Sequence, residues 1–268
     1  MEVFDIHHHL GSLSGGSLQE GPGNEGWQEK DYASRVRIMD ANGVTQSAIL
    51  AATGYIQADG IKDTMRSNDV VAAYQERDPK RFPVACGIVE PLHGARSLGE
   101  LERIKHALKL QGVVWHHRFQ GLAVDHALMR PLLKKVSELG LVPLIHTNAE
   151  SNLEAVWRLE RLAVEFPELT FVSLDALTTN TNSQLALDIA KRTKNILFDT
   201  AHCKGAGYIK NFVEAVGSHR LLFGSLFYSH PASYEHCHTL ADINEAKISE
   251  QDKANILALN TKKLFKLV

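Results

Sequence analysis

The chain has 268 residues, of which 44% are apolar and 22% charged, so it is long and apolar enough to bury a full globular core. Its formal net charge of −2 excludes a strong positive field, and no apolar run approaches the ~20 residues of a bilayer span, so we expect neither a nucleic-acid nor a membrane partner. The odd number of widely spaced cysteines and an acidic start without the basic residues of a signal peptide favour a reducing cytoplasm.

Apolar, β-branched runs alternate along the chain with amphipathic stretches of helical period. The predicted strands are Glu2–Ile6, Thr45–Leu50, Pro83–Ile88, Gly112–Trp115, Val142–His146, Thr170–Leu174, Asn195–Thr200 and Arg220–Gly224. The predicted helices are Tyr32–Asn42, Asn68–Arg77, Leu98–Leu110, Leu128–Leu139, Leu153–Phe166, Ser183–Arg192, Ile209–Val216 and Ser249–Leu257. Such alternation predicts a parallel sheet covered by helices, and eight units favour a closed (β/α)8 TIM barrel of the α/β class over an open, doubly wound sheet. We therefore predict a single barrel domain over residues 1–268.

A long segment follows the first predicted strand. Residues 11–26 are rich in glycine and serine and show no periodicity, and in a compact domain such a segment is either an active-site lid or disordered. Because it leaves the barrel at the carboxyl end of a strand, where barrels build their active sites, we predict an active-site loop. Its glycines do not lead into a helix at the spacing of a dinucleotide-binding fingerprint, which also weakens the open-sheet alternative.

Histidine is the unusual residue type, with 14 copies, several of them clustered. His7 and His9 stand two positions apart at the end of the first strand. Alternation along a strand places their imidazoles on one face, with Asp5 on the same face and His8 on the other. If that face lines the barrel, both imidazoles can bind one metal ion. The alternative interpretation is a solvated run of histidines without a role.

Two further strands lead into basic side chains. His146 ends the fifth strand and so lies at the barrel mouth, as a third metal ligand or as an ordinary hydrogen-bonded residue. His116, His117 and Arg118 follow the fourth strand. His116 can polarise a carbonyl or carry a proton, Arg118 can hold a substrate carboxylate through two parallel hydrogen bonds, and His117 is a second substrate contact. The alternative for these three is a basic surface turn.

The last strands add two candidates. Asp175 directly follows the apolar run Phe171–Leu174, where a buried carboxylate is costly unless it is paired or bound to a cation, so we predict a metal ligand and a catalytic group. His202 follows the seventh strand and is a candidate for substrate binding. His236 and His238 lie in a polar segment, and a surface position is the expected interpretation.

In their order along the chain, these segments resemble the Amidohydrolase-2-type hydrolases and decarboxylases of the amidohydrolase superfamily. Residues 5–10 are similar to the family's strand-1 Asp-x-His-x-His, and residues 142–147 to its strand-5 histidine segment. Residues 112–121 resemble its Gly-x-x-x-His…Gln-Gly, and 68–82 its Asn…Pro-x-Arg-Phe. The segments 221–225 and 260–265 complete the order. The resemblance runs nearly end to end, and the collinear set is more specific than any one motif.

The resemblance implies a divalent metal, zinc first and manganese second, bound by the strand-1 pair and the strand-5 histidine, which are His7, His9 and His146 here. In the family a strand-6 histidine assists, and a strand-8 aspartate ligates the metal or activates water. Asp175 and Leu226 stand at those two positions. Leucine neither binds a cation nor accepts a proton, so the family's mechanism does not transfer whole.

Three functions stay open from the sequence. In the first, Asp175 completes the site of a metal-dependent hydrolase, whose activated water attacks an amide, ester or lactone carbonyl of a small carboxylated substrate. A decarboxylase of the same family fits these residues equally well. In the second, the histidines and Arg118 bind an anionic substrate without a metal, and in the third the chain is a non-catalytic relative that binds a small ligand. A homo-oligomer is compatible with the sequence, dimers being the commonest assembly.

Overall fold

The computed structural model describes residues 1–10, 26–51, 59–148, 150–229 and 232–267. Within these ranges eight strands form one sheet in chain order, and each neighbouring pair runs parallel. The strands are β1 Phe4–Leu10, β2 Gln46–Ala51, β3 Val84–Ile88, β4 Gly112–Trp115, β5 Val142–His146, β6 Phe171–Leu174, β7 Ile196–Asp199 and β8 Leu221–Leu222. The predicted single-domain (β/α)8 barrel is confirmed.

The sheet closes between β8 and β1. The Ile6 N–H donates to the Phe223 carbonyl at 2.9 Å, the Phe227 N–H donates to the His7 carbonyl at 2.9 Å, and the His9 N–H donates back to Phe227 at 2.8 Å. Between Phe223 and Phe227 the chain leaves this ladder, which is why β8 is shorter than predicted. Strand β1, in contrast, continues past Ile6 and includes all three adjacent histidines.

Helices cover the outside of the barrel. The described helices are α1 Trp27–Ala41, α2 Ile61–Arg77, α3 Ala95–His106, α4 His117–Gln120, α5 Met129–Leu139, α6 Val156–Glu165, α7 Asn180–Arg192, α8 Ala206–Val216, α9 His238–Glu245, α10 Glu250–Ala254 and α11 Asn260–Leu264. Helices α1 and α2 begin earlier than predicted because each follows a glycine with positive φ, Gly26 and Gly60, and neither start carries a capping side chain. Short 3-10 turns cover Pro91–His93, Asn152–Glu154 and Ser218–Arg220, and a π-helical turn covers Asn255–Leu259.

Two asparagines of the family-like segments tie helices to strands. The Asn68 carboxamide donates to the Ile88 carbonyl at 2.9 Å and accepts from the Ile88 N–H at 2.7 Å, which joins α2 to β3. Asn260 donates to the carbonyls of Ser218 and Leu221, both at 2.8 Å, and so holds the start of β8. These two asparagines therefore stabilise the barrel and are not candidates for the site at its mouth.

The predicted active-site loop, residues 11–26, lies outside the described residues except for Gly26. In the described ranges, no helix combines the length and the apolar character needed to cross a bilayer.

Candidate metal centre

Strand β1 presents His7 and His9 at the barrel mouth. Asp5 and His8 are three positions apart but pair with residues two apart in β2, so β1 contains a bulge. The ring centroids of His7 and His9 lie 4.8 Å apart, and their Nε2 atoms lie 3.0 Å apart. The bulge breaks the strict alternation that predicted Asp5 on the same face as this pair. The Asp5 carboxylate instead accepts from His8 Nε2 at 3.1 Å.

Two of the candidate ligands are each oriented by an aspartate. His7 Nδ1 lies 2.6 Å from Asp199 Oδ2, and His146 Nδ1 lies 2.8 Å from Asp175 Oδ2. All four side chains are buried. A carboxylate oxygen only accepts hydrogen bonds, so both Nδ1 atoms carry a hydrogen, and in the neutral imidazoles both Nε2 atoms are left with a lone pair. Carboxylate–histidine pairs of this kind orient imidazoles toward metals.

The third candidate ligand, His9, is oriented by a main-chain carbonyl group. Its Nδ1 donates to the Ala51 carbonyl at 3.1 Å, so its Nε2 also carries a lone pair. Ligand atoms of His7, His9 and His146 lie within 4.8 Å of one another. The lone pairs of His7 and His9 face each other, and they repel unless a proton or a cation lies between them.

This donor set fits a divalent metal. Imidazole nitrogens bind zinc at ~2.0–2.1 Å, so two nitrogens on one ion lie roughly 2.9–3.4 Å apart for bond angles between a right angle and the tetrahedral angle. The Nε2 atoms of His7 and His9 have a separation in this range, 3.0 Å. The Nε2 atom of His146 is buried and has no hydrogen-bond partner among the described residues. An ion at this position would satisfy all three nitrogens.

Asp175 and Asp199 lie behind the imidazoles. Asp175, predicted as a metal ligand, binds His146 on the Nδ1 side of the ring, and its Oδ1 has no hydrogen-bond partner in the described part of the chain. Ligand atoms of His7, Asp175 and Asp199 also lie within 4.8 Å of one another, but Asp199 already accepts from His7 Nδ1 at 2.6 Å. Sequence reasoning missed Asp199, although an acid that ends a buried strand was a usable signal.

Burial and charge set the protonation of these groups. Burial lowers the pKa of His146 to about 4, against the opposing effect of Asp175, and it lowers the pKa of His9 with help from the neighbouring His7. For His7, burial also acts downward, but the Asp199 carboxylate outweighs it and the pKa is raised. Burial would raise the pKa of Asp175, but His146 outweighs it and holds the carboxylate ionised.

The segment after β4 contributes three of the predicted residues. The ring of His116 stacks on that of His146 with centroids 3.9 Å apart. His117 is buried at the first position of α4, and burial lowers its pKa to about 3. Arg118 lies at the rim, 27% exposed, with its Nη1 3.4 Å from Oε2 of the fully buried Glu154. Glu154 lies in the 3-10 turn after β5 and was not predicted, because its position depends on how that loop folds back.

Three strands end in strained backbone at this mouth. Asp175, His202 and Leu226 follow β6, β7 and β8 and have φ of 63°, 61° and 55°. Non-glycine residues adopt this region at a cost, and such residues cluster at functional sites. His202 is exposed at the mouth, with its Nε2 3.7 Å from Asp175 Oδ1.

A cavity of about 450 Å³ lies at the segments that follow the last two strands, and its lining does not include the three imidazoles themselves. It is bounded by the residues after β7, those after β8 and the start of α9, and it is lined by both His202 and Leu226. His236 and His238, predicted as surface residues, are exposed and also line it. Tyr228 connects this cavity to the candidate ligands, because its ring stacks on His9 with centroids 4.8 Å apart. Sequence reasoning gave no signal for Tyr228.

Comparison with solved structures finds the same architecture in several enzymes. The chain superposes on 5-carboxyvanillate decarboxylase LigW from Sphingomonas paucimobilis with a TM-score of 0.75, at 16% identity over 99% of both chains. For 2,6-dihydroxybenzoate decarboxylase from Rhizobium the TM-score is 0.73, at 18% identity over 99% of both chains. For 4-oxalomesaconate hydratase LigJ from Rhodopseudomonas palustris it is 0.71, at 16% identity over 98% of this chain and 95% of that one.

No curated protein sequence matches the chain. The sequence profile of the amidohydrolase family Amidohydro_2, however, matches residues 4–267, which is nearly the whole chain. The chain belongs to the Amidohydro_2 family of amidohydrolases.

Proposed function

We propose that this chain is a divalent-metal-dependent enzyme that decarboxylates a small carboxylated substrate at the carboxyl ends of the barrel strands. The observation that carries the proposal is the convergence of three buried Nε2 lone pairs, from His7, His9 and His146, each fixed by an acceptor at Nδ1. A divalent ion bound there would polarise a substrate oxygen and stabilise developing negative charge.

Arg118 is the proposed anchor for the substrate carboxylate. Its side chain is 27% exposed at the rim, and its buried Nη1 has no hydrogen bond to any described residue. The planar guanidinium matches a carboxylate through two parallel N–H···O bonds. Glu154 accepts from the Arg118 backbone N–H at 3.0 Å and holds this residue in place.

His202 is the proposed proton donor. When the carbon–carboxyl bond breaks, its electron pair stays on the substrate carbon, carbon dioxide leaves, and a proton must replace it. His202 is exposed at the mouth, and its Nε2 lies 3.7 Å from Oδ1 of Asp175. His116, predicted as a catalytic residue, stacks on His146 with ring centroids 3.9 Å apart.

Hydrolysis of an amide, ester or lactone is the second candidate, and a specific observation favours each reaction. Leu226 places an apolar side chain after β8, and the solved structures of similar fold include decarboxylases of 5-carboxyvanillate and 2,6-dihydroxybenzoate, which supports decarboxylation. The Asp175 Oδ1 atom, which has no hydrogen-bond partner in the described residues, could accept a proton from an attacking water, which supports hydrolysis.

Manganese and zinc are the metals to test. Two solved decarboxylases of this fold hold manganese, whereas a set of three imidazoles suits zinc better.

We also propose that the protein works in the reducing cytoplasm, because Cys86, Cys203 and Cys237 are all buried free thiols.

The test uses protein purified without a histidine tag. Elemental analysis should find about one divalent metal per chain, and His146→Ala should lose it. Metal-loaded protein is then incubated with hydroxybenzoic acids, with carbon dioxide release as the readout, and with lactones and amides, with acid release as the readout. Carbon dioxide release that chelation abolishes supports the proposal. Acid release alone would assign hydrolysis instead. A protein that neither holds metal nor binds manganese or zinc on addition would refute both.

A further inference from the structure

Asp199 ends β7 and uses both of its carboxylate oxygens inside the candidate metal centre. Its Oδ2 accepts from His7 Nδ1 at 2.6 Å, and its Oδ1 accepts from the backbone N–H of Asp175 at 2.9 Å. The side chain is fully buried, so water does not compete for either bond. Asp175 in turn accepts from His146 Nδ1 at 2.8 Å. One carboxylate is thus connected to two of the three candidate ligands.

The segment just after β8 leaves room for this carboxylate at Gly224. A Cβ atom at Gly224 would lie 2.7 Å from Asp199 Oδ2 and 3.0 Å from Asp199 Cβ. The buried Asp199 cannot move aside without losing its hydrogen bonds. Thr200, the residue after β7, fixes the glycine because its Oγ1 accepts from the Gly224 N–H at 3.2 Å. Because residue 224 is a glycine, the carboxylate of Asp199 on β7 can reach His7 on β1.

The bond to Asp175 also supports strained backbone. Asp175 has a φ of 63°, which a non-glycine residue keeps only where its surroundings hold it. The acceptor at Asp199 Oδ1 satisfies the N–H of this residue. With its backbone fixed there, Asp175 directs Oδ2 at His146.

We propose that Asp199 is a positioning residue, which fixes the tautomer of His7 and, through Asp175, the orientation of His146, so that both offer Nε2 to the ion. The inference rests on the metal site proposed above. A carboxylate only accepts, so it requires the hydrogen of His7 on Nδ1.

Asparagine at position 199 cannot satisfy both neighbours. If its oxygen faces the Asp175 N–H, its NH2 faces His7 Nδ1 and drives the imidazole hydrogen to Nε2, where it blocks the lone pair. If the amide is reversed, the NH2 meets the Asp175 N–H, donor against donor. Either orientation disturbs one imidazole, although Asn has nearly the size of Asp.

The experiment compares metal-free wild type, Asp199→Asn and, as a matched control, Asp188→Asn, which changes an exposed aspartate on α7. Manganese and zinc are titrated into each by calorimetry. Loss of a group that orients a metal-binding histidine typically weakens metal affinity by ~10–100-fold, and we expect this for Asp199→Asn and wild-type affinity for Asp188→Asn. Nitrogen-15 spectra of histidine-labelled protein, with His7→Gln to identify the signal, should show hydrogen on Nδ1 of His7 in wild type.

A second variant tests whether weakened metal binding in Asp199→Asn comes from the displaced carboxylate rather than from misfolding. Gly224→Ala keeps every polar group and displaces only the Asp199 carboxylate, so it should weaken metal binding in the same direction, and circular dichroism of the metal-free proteins checks the fold. Wild-type affinity in both variants would overturn the role of Asp199, as would a wild-type protein in which His7 carries its hydrogen on Nε2. Failure of wild type itself to bind either metal would instead refute the metal site.

Discussion

Oε2 of Glu154 lies 3.4 Å from Nη1 of Arg118, and neither atom has a hydrogen-bond partner among the described residues. The other carboxylate oxygen accepts from the Arg118 backbone N–H at 3.0 Å. The acid is fully buried, whereas the arginine is partly exposed at the mouth. Protonation of Glu154 and binding of an anion at Arg118 therefore act on the same guanidinium.

Glu154 should contribute a pH dependence to stability. Burial raises its pKa from 4.5 to about 7, although Arg118 opposes this. The folded protein holds the proton more tightly than the unfolded chain, so the resulting stability is complete below about pH 4.5 and is lost as the pH rises through about 7. Glu154→Gln cannot ionise. Between about pH 5.5 and 8, urea unfolding of the metal-free protein should show a larger loss of unfolding free energy for wild type than for this variant. Equal losses would contradict the assignment.

Arg118 is expected to determine the affinity for a carboxylated substrate. Arg118→Lys keeps the charge but loses the planar, bidentate geometry, and Arg118→Gln loses both. We expect KM to rise by about 10-fold or more, with a smaller change in kcat, because the anchor is equally engaged before and during the reaction. Arg161→Lys, an exposed arginine paired with Asp125, serves as the control. An unchanged KM in Arg118→Gln would exclude this role.

Most of the fold could be predicted from the sequence because the barrel strands are short apolar runs, and parallel strands buried on both faces give such runs. The two poorly predicted strands are those that meet at closure. Strand β1 extends to Leu10 because its histidines stay buried and paired, and β8 ends at Leu222 because the chain leaves the ladder before it rejoins β1 at Phe227. Neither a strand that contains polar residues nor the return of the chain to β1 at Phe227 has a recognisable pattern in a single sequence.

The three candidate ligands were identifiable because each lies at or just after the end of a predicted apolar strand. Their partners were not. Asp199 reaches His7 only through the gap at Gly224, just after β8, and Tyr228 reaches His9 only after the chain has rejoined β1 at Phe227. Such contacts depend on strand register and loop path across the barrel, which local pattern does not specify.

A buried ion pair behind β1 should be important for stability. Arg35 Nη2 donates to the His9 carbonyl at 2.8 Å and to Asp31 at 3.0 Å, and Tyr74 donates to Asp31 at 2.7 Å. Arg35→Met leaves the aspartate buried without its cation, which typically costs ~3–5 kcal/mol. Urea unfolding should show that loss, and Arg35→Met combined with Asp31→Asn should recover part of it. A double variant no more stable than the single one would contradict this explanation.

Tyr228 should stabilise the metal-binding orientation of His9. The two rings stack with centroids 4.8 Å apart and an interplanar angle of 25°. Such pairs contribute ~0.5–1.5 kcal/mol beyond their buried area, so Tyr228→Ala should weaken metal affinity by roughly 2- to 12-fold. Tyr228→Phe keeps the ring and should bind metal as wild type does, since the stack and not the hydroxyl supports the imidazole. Calorimetric titration of both variants decides the matter: if the Phe variant loses as much affinity as the Ala variant, the phenol oxygen, not the stacked ring, holds His9.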